Sequence, residues 1–315
     1  MARTPLGRQA QKLLRFSLWA ALAGLRFLSR WIPWRPGLAL GGGLGAIAYV
    51  ILRTERRKAL HHLQQALAGE RSPEECRRIA FQSFRNLGRT FFEVLNLDRL
   101  KREDLDRLVR FEGEESLKAA ASLGRGVIIV GGHVGNWELF ALAVAMRYPL
   151  AVVAAPIYDP RVEEIMVRLR AAHGIETLVR NRPGALKRLI TMLRRGGVVG
   201  LLIDQDTKTD GVFVPFFHRE AYTPTGAASL AFRTGASVAV GFIVREGRGR
   251  HRVVICGPLT LSRSGDLDRD VRDQTARFTK MIEDQIRRTP EQWIWMHRRW
   301  RRTDKDRKEM EGSSE

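Results

Sequence analysis

Between residues 127 and 255, short apolar runs of strand composition repeatedly give way to helical stretches, and this alternation constrains the fold more than any other feature of the chain. The runs fall at 127–130, 151–154, 198–203, 238–244 and 253–255, and Leu178-Val179 supplies a further short one. Helical segments at 137–147, 160–173 and 183–195 lie between several of them. Strands alternating with helices of this length predict an α/β domain with a central, largely parallel sheet flanked by helices. In such sheets ligands gather at the carboxyl ends of the strands. No linker divides the chain after residue 110, so residues 111–302 read as one domain.

Upstream the pattern is helical. Residues 53–110 form a charged helical lead-in, in which Ser72-Pro73-Glu74-Glu75 places an N-cap serine, a first-turn proline and first-turn acids. Ile79, Phe84, Leu87, Phe91 and Leu95 then recur near the helical period and read as a core stripe. Phe111-Glu112-Gly113 reads as a turn before a helix ending at Ser122. Residues 13–34 (LLRFSLWAALAGLRFLSRWIPW) are apolar and rich in tryptophan, but Arg15, Arg26 and Arg30 interrupt them. A clean membrane span wants about 20 uninterrupted apolar residues. The segment therefore lies in the membrane interface, crosses once, or is a signal peptide with Ala21-Leu22-Ala23 as cleavage site; the expectation is membrane attachment of the intact chain. Residues 37–52 (GLALGGGLGAIAYVIL) are shorter than a span, and their glycines suit a buried helix. Residues 1–52 are thus expected to be membrane-associated helices and 303–315 a polar tail.

With 54 Lys plus Arg against 34 Asp plus Glu, the formal charge is +20. Such a field attracts polyanions: nucleic acid, anionic lipid or an acidic carrier protein. A nucleic-acid-binding protein would need a reading module, and no zinc finger, RNP-type aromatic strand or homeodomain pattern is present. Cys76 and Cys256 suggest neither a disulfide framework nor a zinc site, and the seven histidines lack ligand spacing.

One stretch carries chemistry. In VIIVGGHVGNWELF, residues 127–140, an apolar strand ends in two glycines, His133 follows, and Glu138 comes five positions later. On a continuous helix those two would lie about 140° apart. They can meet if His133 is in the turn and Glu138 in the first helical turn, with Asn136 as N-cap and Gly131, Gly132 and Gly135 letting the backbone turn tightly. A carboxylate on one imidazole nitrogen leaves the other free as a base. The alternative is a histidine and a glutamate side by side by chance. Neither cysteine sits in a comparable turn and no G-x-S-x-G is present, so the attacking group would come from the substrate.

At this motif the chain resembles the late acyltransferases of lipid A biosynthesis, the lauroyl and myristoyl transferases of Gram-negative inner membranes. Their H-x4-D/E box looks like His133-Val-Gly-Asn-Trp-Glu138. Residues 197–217 (GVVGLLIDQDTKTDGVFVPFF), 223–236 (TPTGAASLAFRTGA) and 290–300 (PEQWIWMHRRW) resemble the blocks that follow. The resemblance implies acyl transfer from an acyl carrier protein thioester to a hydroxyl of a lipid A precursor, at the cytoplasmic face of the bacterial inner membrane, without metal or bound cofactor. It implies His133 as general base and Glu138 as its orienting partner. Arg170 lies where the family carries a functional arginine, fit to offset a phosphate or an oxyanion. Asp204 lies where it carries a functional aspartate, fit to hold Arg170 or an acceptor hydroxyl, with Gln205 and Asp206 extending that block. A structural ion pair at the sheet edge is their alternative. Backbone N–H groups around Gly131, Gly132 and Gly135, or Arg170, would stabilise the oxyanion. Arg298, Arg299, Arg301 and Arg302, interleaved with Trp295 and Trp300, are expected on a basic surface facing headgroups or a phosphate. The nearest alternative is an enzyme of the same superfamily that uses coenzyme A on a glycerolipid, or one that acylates a mannosylated inositol lipid.

Overall fold

The computed structural model describes residues 5–247, 249–302 and 306, with side chains from residue 16 onward except at residue 18. The Arg15 side chain and most of the expected polar tail lie outside the described residues. Helices α1 (Pro5–Ser29), α2 (Trp34–Ile51), α3 (Arg53–Ala66) and α4 (Pro73–Leu95) come first. No single described helix is long and apolar enough to cross a membrane; α2 and α3 satisfy length and composition only together, across a 91° bend.

Helix α2 corrects the expectation of a buried helix. Its glycine face packs so tightly on α4 that a Cβ at Gly88 would lie 2.1 Å from the Gly41 carbonyl oxygen, and one at Gly45 2.2 Å from that of Phe84. Its other face, Leu40, Leu44, Ile47 and Ile51, is more than half exposed. The small residues let two backbones meet, and the large ones are left outside.

Helix α4 begins with a capping box, in which Ser72 accepts from the Glu75 N–H and its own N–H donates to the Glu75 carboxylate at 2.8 Å. Of its expected core stripe, Phe84 and Leu95 are buried, Ile79 and Leu87 half-buried, and Phe91 exposed. Beyond Gly88 the buried side of α4 is taken by Phe92, edge-on to Trp34, and by the carboxylate of Glu93.

A short turn of helix at 97–99 and α5 (Arg102–Leu108) lead into the sheet region: β1 (Val109–Glu112), α6 (Glu114–Ser122), β2 (Val127–Gly131), α7 (Trp137–Ala145), β3 (Leu150–Ala154), α8 (Pro160–Ala171), β4 (Glu176–Val179), α9 (Ala185–Arg194) and β5 (Val198–Leu202). A hairpin, β6 (Gly211–Phe216) and β7 (Arg219–Pro224), precedes α10 (Gly226–Thr234), β8 (Ser237–Gly247), β9 (Arg250–Leu259) and α11 (Leu267–Arg288). Seven strands form one sheet in the order β1-β9-β8-β2-β5-β3-β4, parallel throughout except between β8 and β9. The α/β architecture is as expected.

Three elements differ. Residues 109–112 form an edge strand paired with β9 rather than a turn. Residues 211–224 form a separate two-stranded antiparallel hairpin whose corner, Phe217-His218, has φ of 50° and 61° at both positions, the left-handed geometry of a tight hairpin turn. Helix α11 spans 22 residues and covers the sheet with Phe278, Ile282 and Ile286, all buried.

Strand β2 is central and every residue of it is buried. With side chains alternating across the pleat, Ile128 and Val130 enter the core beneath α10 and α11, and Val127 and Ile129 the core beneath α6 and α7. The expected basic-aromatic surface near residue 300 is partly core: Trp295 and Arg299 are fully buried. Arg299 donates to the Tyr222 carbonyl and the Thr223 hydroxyl. Burial pushes its guanidinium down to about 10, against the pull of Asp204 and Asp206.

Candidate active site

The parallel register of β2 and β5 builds the centre of the site. Gly131 stands opposite Leu202, and the Ile203 N–H reaches back to the Gly131 carbonyl at 3.1 Å. Two residues further along each strand come His133 and Asp204, side by side at the carboxyl edge of the sheet. His133 Nδ1 is 2.7 Å from Asp204 Oδ1, and the His133 backbone N–H donates to Oδ2 at 2.7 Å. The Trp293 indole N–H also donates to Oδ2, at 2.7 Å. Burial alone would raise the Asp204 pKa, but the charge and hydrogen bonds of His133, with the bond from Trp293, outweigh it and hold it at about 2. Whenever the imidazole is neutral, an ionised Asp204 keeps its proton on Nδ1 and its lone pair on Nε2. Among the described residues Nε2 has no hydrogen-bond partner, and the ring is partly exposed. Gly132 leaves room for this pairing, since a Cβ there would sit 3.2 Å from the Asp204 carboxylate and 3.0 Å from Ile282.

Past His133 the chain is pinned at every step. The Val134 N–H donates to the Gly132 carbonyl and the Gly135 N–H to the Gln292 carbonyl, while Val134 forms a β-bridge with Trp293. Gly135 has φ of 63°, and a Cβ would lie 2.1 Å from the Ile243 carbonyl, so only glycine fits. Asn136 caps α7 as expected, accepting from the Leu139 N–H at 3.0 Å. Its amide donates to Glu93, which is fully buried and also bound by Arg245 and His251. Burial would raise the Glu93 pKa, yet the charges of His251 and Arg245 hold it well below the usual carboxylate range.

The first turn of α7 presents Glu138, and α8 brings Arg170 to it. Nε and Nη2 of Arg170 bind the two Glu138 oxygens at 2.8 and 2.5 Å, a bidentate pair. Burial would lower the Arg170 pKa, and the hydrogen bonds and charge of Glu138 reverse it to a net rise. This corrects the expected pairing: the acid on the imidazole is Asp204, and Glu138 holds Arg170. The reason is topological, because adjacent parallel strands bring residues at equal steps past their ends together, whereas Glu138 has already turned into a helix.

His133, Glu138, Arg170 and Gln205 line one cavity of about 650 Å³, floored by residues such as Phe140, Val152, Met166 and Leu230. Its lining is mostly apolar with a few polar side chains, suited to a ligand with one reactive polar end and an alkyl body. Gly131 also lines it. Asp206 does not: it is buried and takes Arg301 at 3.1 Å and the Arg302 N–H at 3.0 Å. The expected backbone donors are mostly engaged, since the N–H groups of residues 133, 134 and 135 all have internal acceptors. Arg170 lines the same cavity, and its Nη1 makes no bond to Glu138.

Sequence reasoning missed Trp293, Glu93 and Trp137, whose ring stands edge-on to the imidazole with centroids 4.9 Å apart. Trp137 lies inside the histidine box. Glu93 gave a signal in hindsight, as a carboxylate on the buried side of an otherwise apolar helix. Trp293 lies in the block at 290–300, but only the fold brings it to Asp204.

Comparison with known proteins shows the family. Residues 6–302 match the family model described as bacterial lipid A biosynthesis acyltransferase. The lipid A biosynthesis palmitoleoyltransferase of Escherichia coli K12 is 27% identical over 94% of this chain and 96% of its own length. The lipid A biosynthesis lauroyltransferase of the same organism is 28% identical over 95% and 96%. A phosphatidylinositol mannoside acyltransferase of Mycobacterium tuberculosis is 30% identical over 53% of this chain and 54% of its own length.

Proposed function

This chain belongs to the bacterial lipid A biosynthesis acyltransferase family, and from that premise we propose that it moves a fatty acyl chain from acyl carrier protein to a hydroxyl of a lipid A precursor. The observation that carries this reading is the His133–Asp204 pair opening onto a largely apolar cavity. His133 Nε2 takes the proton from the acceptor hydroxyl as its oxygen attacks the thioester carbonyl. A tetrahedral oxyanion forms and collapses, breaking the carbon–sulfur bond. The departing thiolate takes the proton from the imidazolium. Asp204 keeps Nδ1 protonated and offsets the imidazolium charge without itself taking the proton. Glu138 aligns Arg170, and Arg170 Nη1 faces the oxyanion.

The net charge of +20 favours an acidic carrier and an anionic membrane. The aliphatic face of α2, with exposed Phe27, Leu28 and Trp31 at the end of α1 and beyond it, forms the surface that meets the bilayer at its cytoplasmic side. Mass spectrometry of a tetra-acylated lipid A precursor, incubated with purified protein and a panel of acyl carrier thioesters, tests the reading. The expected product is heavier by one acyl chain. Transfer from acyl-coenzyme A with all carriers inert would replace the donor. An inert lipid A precursor beside an acylated mannosylated inositol lipid would replace the acceptor.

A further inference from the structure

We propose that Arg180 is a binding site for a substrate phosphate, about three strands away from the reacting hydroxyl in the same cavity; the identification of that phosphate rests on the acyl-transfer reading above. Arg180 is the first residue beyond β4, at the carboxyl edge of the sheet, and its side chain lines the cavity that His133 lines. Its backbone N–H donates to the Ala154 carbonyl at 2.9 Å, which ties its root to the end of β3. The next residue, Asn181, turns the chain away with φ of 63°. The Arg180 position is therefore set by the sheet rather than by a loose loop.

What singles Arg180 out is the lack of a partner. Among the described residues no acceptor or carboxylate binds its guanidinium, although it is no more than partly exposed. The carboxylates in the cavity wall are otherwise occupied or outside: Glu138 holds Arg170, Glu163 holds Arg182, and Asp210 is exposed. Burial lowers the Arg180 pKa with no compensating charge. A guanidinium withdrawn from water without an anion is costly, and a ligand anion supplies what is missing. The geometry also sets the reach. The sheet order β2-β5-β3-β4 puts three strand spacings, roughly 14 Å, between the line of His133 and that of Arg180. A ligand engaging both is extended, with its reactive group at one end and its phosphate well removed.

Two substrates of the proposed reaction carry such a group: the phosphodiester of the carrier's prosthetic arm and the phosphates of the acceptor lipid. A first measurement needs no turnover. Binding of dodecyl phosphate is compared with that of uncharged dodecanol for the full-length protein, Arg180→Met, and Arg195→Met. The last removes the same charge at the opposite, amino-terminal edge of the sheet. Arg180→Met should weaken dodecyl phosphate at least tenfold and leave dodecanol within about twofold, with Arg195→Met close to wild type. Equal loss in both variants, or none in Arg180→Met, overturns the site. Michaelis constants then identify the source. A rise for acyl-phosphopantetheine but not acyl-pantetheine assigns the donor, and a rise for the phosphorylated but not the dephosphorylated acceptor assigns the lipid. If neither constant rises, the site has no role in substrate binding. Absence of transfer by the wild-type protein would count against the acyl-transfer reading alone, since the dodecyl phosphate comparison decides the site independently.

Discussion

Trp293 and the His133 backbone donate to the same oxygen, Asp204 Oδ2, each at 2.7 Å. The remaining oxygen is thereby left to the imidazole. Trp293→Phe keeps an aromatic ring, though a smaller one, and removes the N–H. Asp204, losing a donor that lowers its pKa, becomes more basic and stabilises the imidazolium more strongly. The acid limb of the rate–pH profile should move to higher pH, while the loss of one of the two donors that hold Oδ2 in place should lower kcat by about tenfold, on the scale of one charge-assisted hydrogen bond. An unmoved profile would assign Trp293 to packing alone.

Asp204→Asn and Glu138→Gln separate the two carboxylates. If Asp204 fixes the tautomer of His133, its amide should lower kcat by three to four decades with the fold intact. Glu138→Gln weakens only the alignment of Arg170 and should cost about one to two decades. His133→Ala should fall at least as far as the general-base range of two to four decades. Steady-state rates with circular dichroism on each variant check the order, and a larger loss in Glu138→Gln than in Asp204→Asn would return the imidazole to Glu138.

Glu93 is fully buried and holds Arg245, His251 and the cap of α7 together. Glu93→Ala leaves a buried guanidinium without its anion and should lower stability by about 3–5 kcal/mol. Denaturant unfolding in detergent reads this directly. A shift below 1 kcal/mol would mean that water enters and replaces the carboxylate.

Acid should destabilise the protein through these carboxylates. The folded pKa of Asp204 is about 2, depressed from an ordinary 3.8, and that of Glu93 is depressed in the same direction. Each contribution is complete above the unfolded pKa near 4 and is lost as pH falls towards the folded value. For Asp204 the span is about 2 kcal/mol. Thermal unfolding between pH 5 and pH 2 should show a falling midpoint, smaller in Asp204→Asn than in wild type.

The alternation of apolar runs and helical stretches made the α/β sheet legible, and strand, double glycine and histidine pointed to the candidate site. The acid partner was misread because sequence distance favoured Glu138, five residues away, over Asp204, 71 residues away. Strand adjacency decides that question, and spacing along the chain does not encode it. Strand β1 was hidden because only Val109 of its four residues is fully buried, so its edge position shows little apolar pattern. Helix α11 was hidden by its charge: Phe278, Ile282 and Ile286 are interleaved with Lys280, Glu283 and Asp284 and flanked by Arg277 and Arg287, and the core side emerges only once the sheet is there to receive it. The arginines near residue 300 looked alike in sequence, yet Arg299 is enclosed and Arg298 faces outward.

The clasp of residues 290–293 on the turn at 133–135 has a bearing on how the protein comes to be active. Until translation has passed Trp293, Asp204 lacks its indole donor and Gly135 its acceptor, although His133, Asp204 and Arg170 are already in the chain. The turn that carries His133 is complete only when this distant segment latches on.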